Sequence, residues 1–144
     1  HSWYRRQRQM CIRDSNDPII DAMIETWQCD ENGKYFNYQG FSRRVTDFKT
    51  GEYQLKTIRP GNQINEDGTI SPSYILFWIV ARGMNRPLIT RMYFDENELK
   101  SDVMFKSLNI QDRLKTLMPL TEDKKNFVFD IHLQGKKETI FFEF

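Results

Sequence analysis

From Asn16 onward, turn-forming residues cut the chain into short apolar stretches, a spacing that fits strands and leaves room for one helix. Residues 18–28 open on a proline, which suits a strand's first position, and carry Ile20, Ala22 and Ile24 with polar residues between. Asp30-Glu31-Asn32-Gly33 is a turn by composition. A second turn at 47–51 precedes the clean alternation of Tyr53 to Ile58, so a hairpin is predicted there. Arg59-Pro60-Gly61 breaks that strand, and residues 62–71 read as a long exposed loop. Residues 74–81 form a continuous apolar run, the pattern of a strand buried on both faces. Residues 88–94 form a strand after the turn at 83–87. The helix is expected after Asn109 as N-cap, with Ile110, Leu114 and Leu117 on one face and Pro119 as its stop. Residues 126–133 then place Phe127, Phe129, Ile131 and Leu133 on one side. Gly135-Lys136-Lys137 turns the chain into residues 139–144. The fold class expected is all-β: an antiparallel β-sandwich with short helical insertions.

At 144 residues the chain is read as one domain. Eleven Phe, six Tyr and three Trp suit strands and heavily packed interfaces. The opening HSWYRRQRQMCIRDS shows no helical or strand periodicity and no apolar signal-peptide core. Residues 1–15 are therefore expected to be a translated linker scar or a disordered arm. Residues 16–144 would then be a fragment whose true beginning is missing. Without that segment the charge balance is 17 basic to 19 acidic residues, which gives no pull toward nucleic acid or acidic membranes. Cys11 and Cys29 offer no disulfide framework, so a reducing, cytoplasmic compartment is expected. The longest apolar run, at 74–81, is far short of the roughly 20 residues a membrane helix needs.

Catalytic motifs are scarce. His132 is the one histidine outside the opening segment, and period two puts it with Asp130 opposite the Phe127/Phe129/Ile131/Leu133 face. It reads as a surface Asp–His pair, with no Gly-x-Ser-x-Gly elbow beside it. Asp30-x-Asn32-Gly33 lacks the ligand spacing and closing Glu of a calcium loop. Arg43-Arg44, Lys124-Lys125 and Lys136-Lys137 fall at or near turns and read as solvated.

An ordered set of motifs carries more. Asp21-Ala22-x-Ile24-Glu25-x-Trp27-Gln28-x-Asp30-x-Asn32-Gly33-x-Tyr35 comes first, followed by Gly40-Phe41-x-Arg43, Thr46-Asp47 and Thr57-Ile58-x-Pro60-Gly61. Ala81-Arg82-Gly83, the 88–94 strand, Phe129-Asp130-Ile131-x-Leu133-Gln134-Gly135 and the closing residues 138–144 complete it. Taken together, these residues resemble the intradiol ring-cleaving dioxygenases. The resemblance implies a β-sandwich and Fe(III) chemistry, the metal being held by two tyrosinates and two histidines. Residue by residue, Tyr35 matches the first tyrosine, while the second falls at Gln63 and the two histidines at Tyr74 and Leu76. One ligand retained and three lost implies no metal in this chain.

More narrowly, the chain resembles the α-type subunits of the family's two-subunit members. That implies a homologous iron-binding β subunit as partner and an aromatic dihydroxy acid as substrate. Arg82, in the Ala-Arg-Gly motif, is then expected to contribute to the substrate pocket across the subunit boundary, a guanidinium suiting the substrate's carboxylate. Its plainer reading is a strand-end arginine in a salt bridge. Loss of three ligands equally fits a non-catalytic β-sandwich that binds or supports other molecules.

Overall fold

A computed structural model describes residues 2–12, 16–19, 21–35, 40–49, 51–82, 86–102, 116–121, 127–132 and 139–142. In chain order its elements are β1 (Ser2–Ile12), β2 (Asn16–Pro18), β3 (Met23–Trp27), β4 (Phe41–Val45), β5 (Glu52–Ile58) and β6 (Gln63–Ile64). They continue with β7 (Ile70–Ser71), β8 (Tyr74–Val80), β9 (Leu88–Tyr93), α1 (Glu96–Ser101), β10 (Leu120–Thr121) and β11 (Phe127–His132). One sheet runs β10-β11-β1-β2, with β5 also paired to β1; the other runs β4-β3-β8-β9. The pairings are antiparallel except for β1 with β11.

Period-two burial welds the sheets together. Tyr53 of β5 and Phe129 and Ile131 of β11 meet Ile24 of β3, Ile75, Phe77 and Ile79 of β8, and Met92 of β9. Phe77 sits at the centre, edge-on to Phe129 (5.3 Å) and Tyr53 (6.3 Å), a geometry that ring quadrupoles favour. This is the β-sandwich expected from the alternation. A second cluster, Tyr93, Leu99, Leu117 and Ile140, lies beyond β9 and ties α1 and residues 139–142 to the outer face of that strand.

Several local expectations are corrected. The 2–12 segment is a strand, flanked by β11 on one side (Arg5↔Phe127 to Met10↔His132) and by β5 on the other (Ser2↔Ile58 to Arg8↔Glu52). Its backbone groups find partners from distant segments, which no local periodicity records. The 47–51 turn forms, with Gly51 at φ 69° and its N–H donating to the Asp47 carbonyl. It does not make a hairpin: β4 pairs with β3 and β5 with β1, so the chain changes sheets there. β8 is buried on one face, because Tyr74, Leu76 and Val80 are only half-buried and Trp78 is exposed. The 62–71 loop contains the ribbon β6–β7. Most of the helix expected after Asn109 lies outside the described residues, as do Lys124-Lys125 and Lys136-Lys137; Leu117 is fully buried.

α1 was not foreseen, although Asp95 and Glu98 stand at capping-box spacing. The Asp95 carboxylate accepts from the N–H groups of Asn97 and Glu98, as an N-cap should.

Replacing Phe77 by Ala is expected to lower the unfolding free energy by about 3–5 kcal/mol. Lys56→Ala, on an exposed position of β5, should change it by less than ~0.5 kcal/mol. Urea denaturation of both variants checks this, and equal losses would contradict the placement of the core.

Candidate functional site

The four positions that the resemblance assigns to iron ligands sit on three elements, and backbone packing brings Tyr35, Gln63 and Tyr74 together. After β3 the chain makes a tight turn in which the Asp30 carboxylate accepts from the N–H groups of Asn32 and Lys34, both at 2.9 Å. That carboxylate is thereby committed to its own turn, as the plain-turn reading expects. Gly33 stands at φ +81°, and a Cβ there would lie 2.1 Å from the Asn62 carbonyl oxygen. A Cβ on Gly61 would lie 2.3 Å from the Glu31 carbonyl oxygen, while the Gly61 N–H donates to the Asp30 carbonyl at 2.8 Å. Only glycines allow two loops to touch backbone to backbone in this way. Tyr35 consequently lies beside Gln63, whose side-chain amide donates to the phenol oxygen at 3.5 Å.

Tyr74, at the start of β8, completes the group. Partial desolvation pushes the Tyr35 phenol up to about 12, although 54% of the residue's surface is exposed, and the neighbouring Tyr74 phenol adds to the rise. Leu76 follows on the same face of β8, with Arg91 of β9 directly across the sheet. The Arg91 guanidinium lies 4.2 Å from the centre of the Tyr74 ring and 5.4 Å from that of Phe142, which is cation–π range. It also donates to the Tyr93 hydroxyl at 3.3 Å, which in turn donates to Asp102 at 3.0 Å. Desolvation pushes the Tyr93 phenol well above its ordinary range.

These residues do not fit a ferric site. Leu76 has no donor atom, and the Gln63 amide is turned to donate to Tyr35. A fixed positive charge already lies against Tyr74. Among the described residues, no group of three or more His, Cys, Asp or Glu could hold a metal.

Arg82 does not join this group. It follows β8 at the end opposite Tyr74, eight residues and about 26 Å along the strand. Its side chain is 88% exposed, with Nε 3.1 Å from the Asp21 carboxylate. Arg43 pairs with Glu25 at 2.7 Å on the exposed surface. His132 is placed by its backbone in β11, paired with Met10. Sequence reasoning missed Arg91 and Asp21 as members of any site. The signal for Arg91 was its place, alternate with Tyr93 and out of phase with the buried Thr90 and Met92.

The Dioxygenase family profile matches residues 9–135. The chain belongs to the intradiol ring-cleavage dioxygenase family. It is 35% identical to the protocatechuate 3,4-dioxygenase alpha chain of Pseudomonas putida, over 92% of this chain and 73% of that one. It is 26% identical to the alpha chain of the same name from Burkholderia cepacia, over 87% of this chain and 69% of that one. Among solved structures, 3-chlorocatechol 1,2-dioxygenase from Rhodococcus opacus 1CP superposes with a TM-score of 0.71 at 21% identity, over 92% of this chain and 58% of that one. That likeness carries the fold alone.

Tyr35 also sets a pH dependence. Its folded pKa, about 12, lies above the ordinary 10.0, so the unfolded chain gives up its proton first as pH rises. The stabilisation is complete below about pH 10 and is lost as pH climbs from there toward 12. Tyr35→Phe should flatten part of this alkaline decline in melting temperature. A variant curve that tracks the wild type would contradict the shift.

Proposed function

We propose that the chain is an α-type subunit of a protocatechuate 3,4-dioxygenase. In this reading a homologous β subunit holds the Fe(III), and this chain packs against it and completes its pocket. The assembly would convert 3,4-dihydroxybenzoate and O₂ to 3-carboxy-cis,cis-muconate, both oxygen atoms entering the product. The observation that carries the reading is the state of β8's outer face. The positions that the resemblance gives to histidine ligands hold Tyr74, under the Arg91 guanidinium, and Leu76, opposite Arg91 in the sheet, while Arg82 at the far end of the strand projects into solvent. An arginine so far from its own chain's ligand positions serves a pocket only if that pocket belongs to another chain. The two α-chain relatives support the same assignment.

A permanent partner is supported by the apolar residues of that face, which surround a Glu25–Arg43 ion pair. Trp78 is exposed, and Met23, Leu76, Val80 and Ile89 around it are only half-buried. Obligate interfaces are more apolar than transient ones. Arg82's part is recognition: a planar, permanently charged donor array can take the substrate's carboxylate in a bidentate pair, away from the ring carbons that are cleaved. A cytoplasmic location belongs to the same reading, supported by the free, buried Cys29. Among the described residues, no helix is long and apolar enough to cross a membrane.

Coexpression with a β-type chain should give an assembly that turns over 3,4-dihydroxybenzoate, while this chain alone should not. Arg82→Ala in the assembly is expected to raise KM by roughly ten- to a hundredfold, the worth of a hydrogen-bonded charge pair. The value of kcat should change much less, since a contact made equally in ground and transition states acts on KM. Unchanged KM and kcat would remove Arg82 from the pocket. A stable monomer that ignores every β-type chain would instead favour a binding or structural sandwich.

A further inference from the structure

We infer that Asp21 is a positioning residue for Arg82, a role that rests on reading Arg82 as a pocket group of the assembled dioxygenase. The register of β3 against β8 pairs Met23 with Val80. Carried two residues past the end of both strands, the same register sets Asp21 opposite Arg82. The platform under the pair is rigid. Ala22 and Ala81, the residues between, are both buried. The Ala22 N–H donates to the Thr46 hydroxyl at 3.1 Å, and the Thr46 N–H donates back to the Ala22 carbonyl at 3.0 Å. Asp21 therefore projects from fixed backbone, while Arg82 stands two residues beyond the end of a core strand.

The atom that makes the contact matters most. The Asp21 carboxylate meets Arg82 at Nε, 3.1 Å away. Among the described residues, no hydrogen bond occupies either terminal nitrogen of that guanidinium. A carboxylate beside Nε biases the guanidinium plane and leaves the outer Nη1/Nη2 edge, with its parallel N–H bonds, to donate to a second carboxylate end-on. An exposed ion pair of this kind adds little to folding stability. Its effect is on binding: a long side chain that is already oriented loses less rotamer freedom when substrate arrives. The negative charge works against attraction of an anionic substrate, so orientation and charge can be separated by substitution.

The experiment uses the reconstituted αβ assembly with 3,4-dihydroxybenzoate. Asp21→Ala is expected to raise KM roughly three- to tenfold, the cost of ordering one long side chain. The value of kcat and the melting temperature of the assembly should hold. Asp21→Asn, which keeps an acceptor at the same reach without the charge, should recover most of that loss. The rise should be absent with catechol, which has no carboxylate. If Arg82→Ala raises KM and Asp21→Ala does not, the positioning role is overturned while the pocket role of Arg82 stands. If Arg82→Ala changes nothing, both fall together. Equal rises with catechol and the acid would show a general structural defect and overturn the inference as well.

Discussion

Strand β8 is pinned by what its inner face must bury. Ile75, Phe77 and Ile79 are wholly removed from solvent, and a one-residue slip would exchange them for Tyr74, Leu76 and Trp78. Burial of that triplet thus fixes which side chains look outward, and pairing with β9 fixes what stands beside them. Arg91 comes opposite Leu76, and Tyr93 opposite Tyr74. The chemistry open to this chain is set by those outward residues and not by the core that orients them.

Shape and chemistry have separate origins here. The approach of the 30–34 turn to residues 61–63 depends on Gly33, Gly61 and the Asp30 carboxylate, all of which act through backbone. It still delivers Tyr35, Gln63 and Tyr74 to one place. What ferric iron needs from that place is a set of ionisable donors, and the side chains supply two phenols, an amide and an isobutyl group. The guanidinium of Arg91 stacks on the Tyr74 ring and donates to the Tyr93 hydroxyl, so a charged organic group joins residues that no metal links. Two exposed ends of the sheet thus differ in kind: one is closed on itself around Arg91, the other offers Arg82 outward.

Much of the fold was legible because strands announce themselves locally. Tyr53 and Leu55, and Phe129 and Ile131, alternate in the sequence and are buried as alternation predicts. The motif order also proposed four ligand positions, and three of them, Tyr35, Gln63 and Tyr74, lie close together in the structure. Legibility failed where the deciding partner is remote. The β1 segment has no periodicity of its own and is held in register by β5 and β11. The apolar run of β8 looked buried on both faces because composition cannot reveal that its outer face lies partly open. Arg91 passed as one letter in a strand motif because its partners, Tyr74 and Phe142, are 17 residues before it and 51 after it in the chain. The Asp21–Arg82 pair needed the β3–β8 register before it could be seen.

The assignment of the iron to a partner subunit requires that this polypeptide not hold ferric iron by itself. The direct measurement is an Fe(III) titration of the purified chain, followed by visible absorbance and by metal analysis after desalting. No phenolate-to-iron charge-transfer band and no retained metal are predicted, because too few ionisable donors converge. A stoichiometric iron content with a charge-transfer band that Tyr35→Phe abolishes would contradict it.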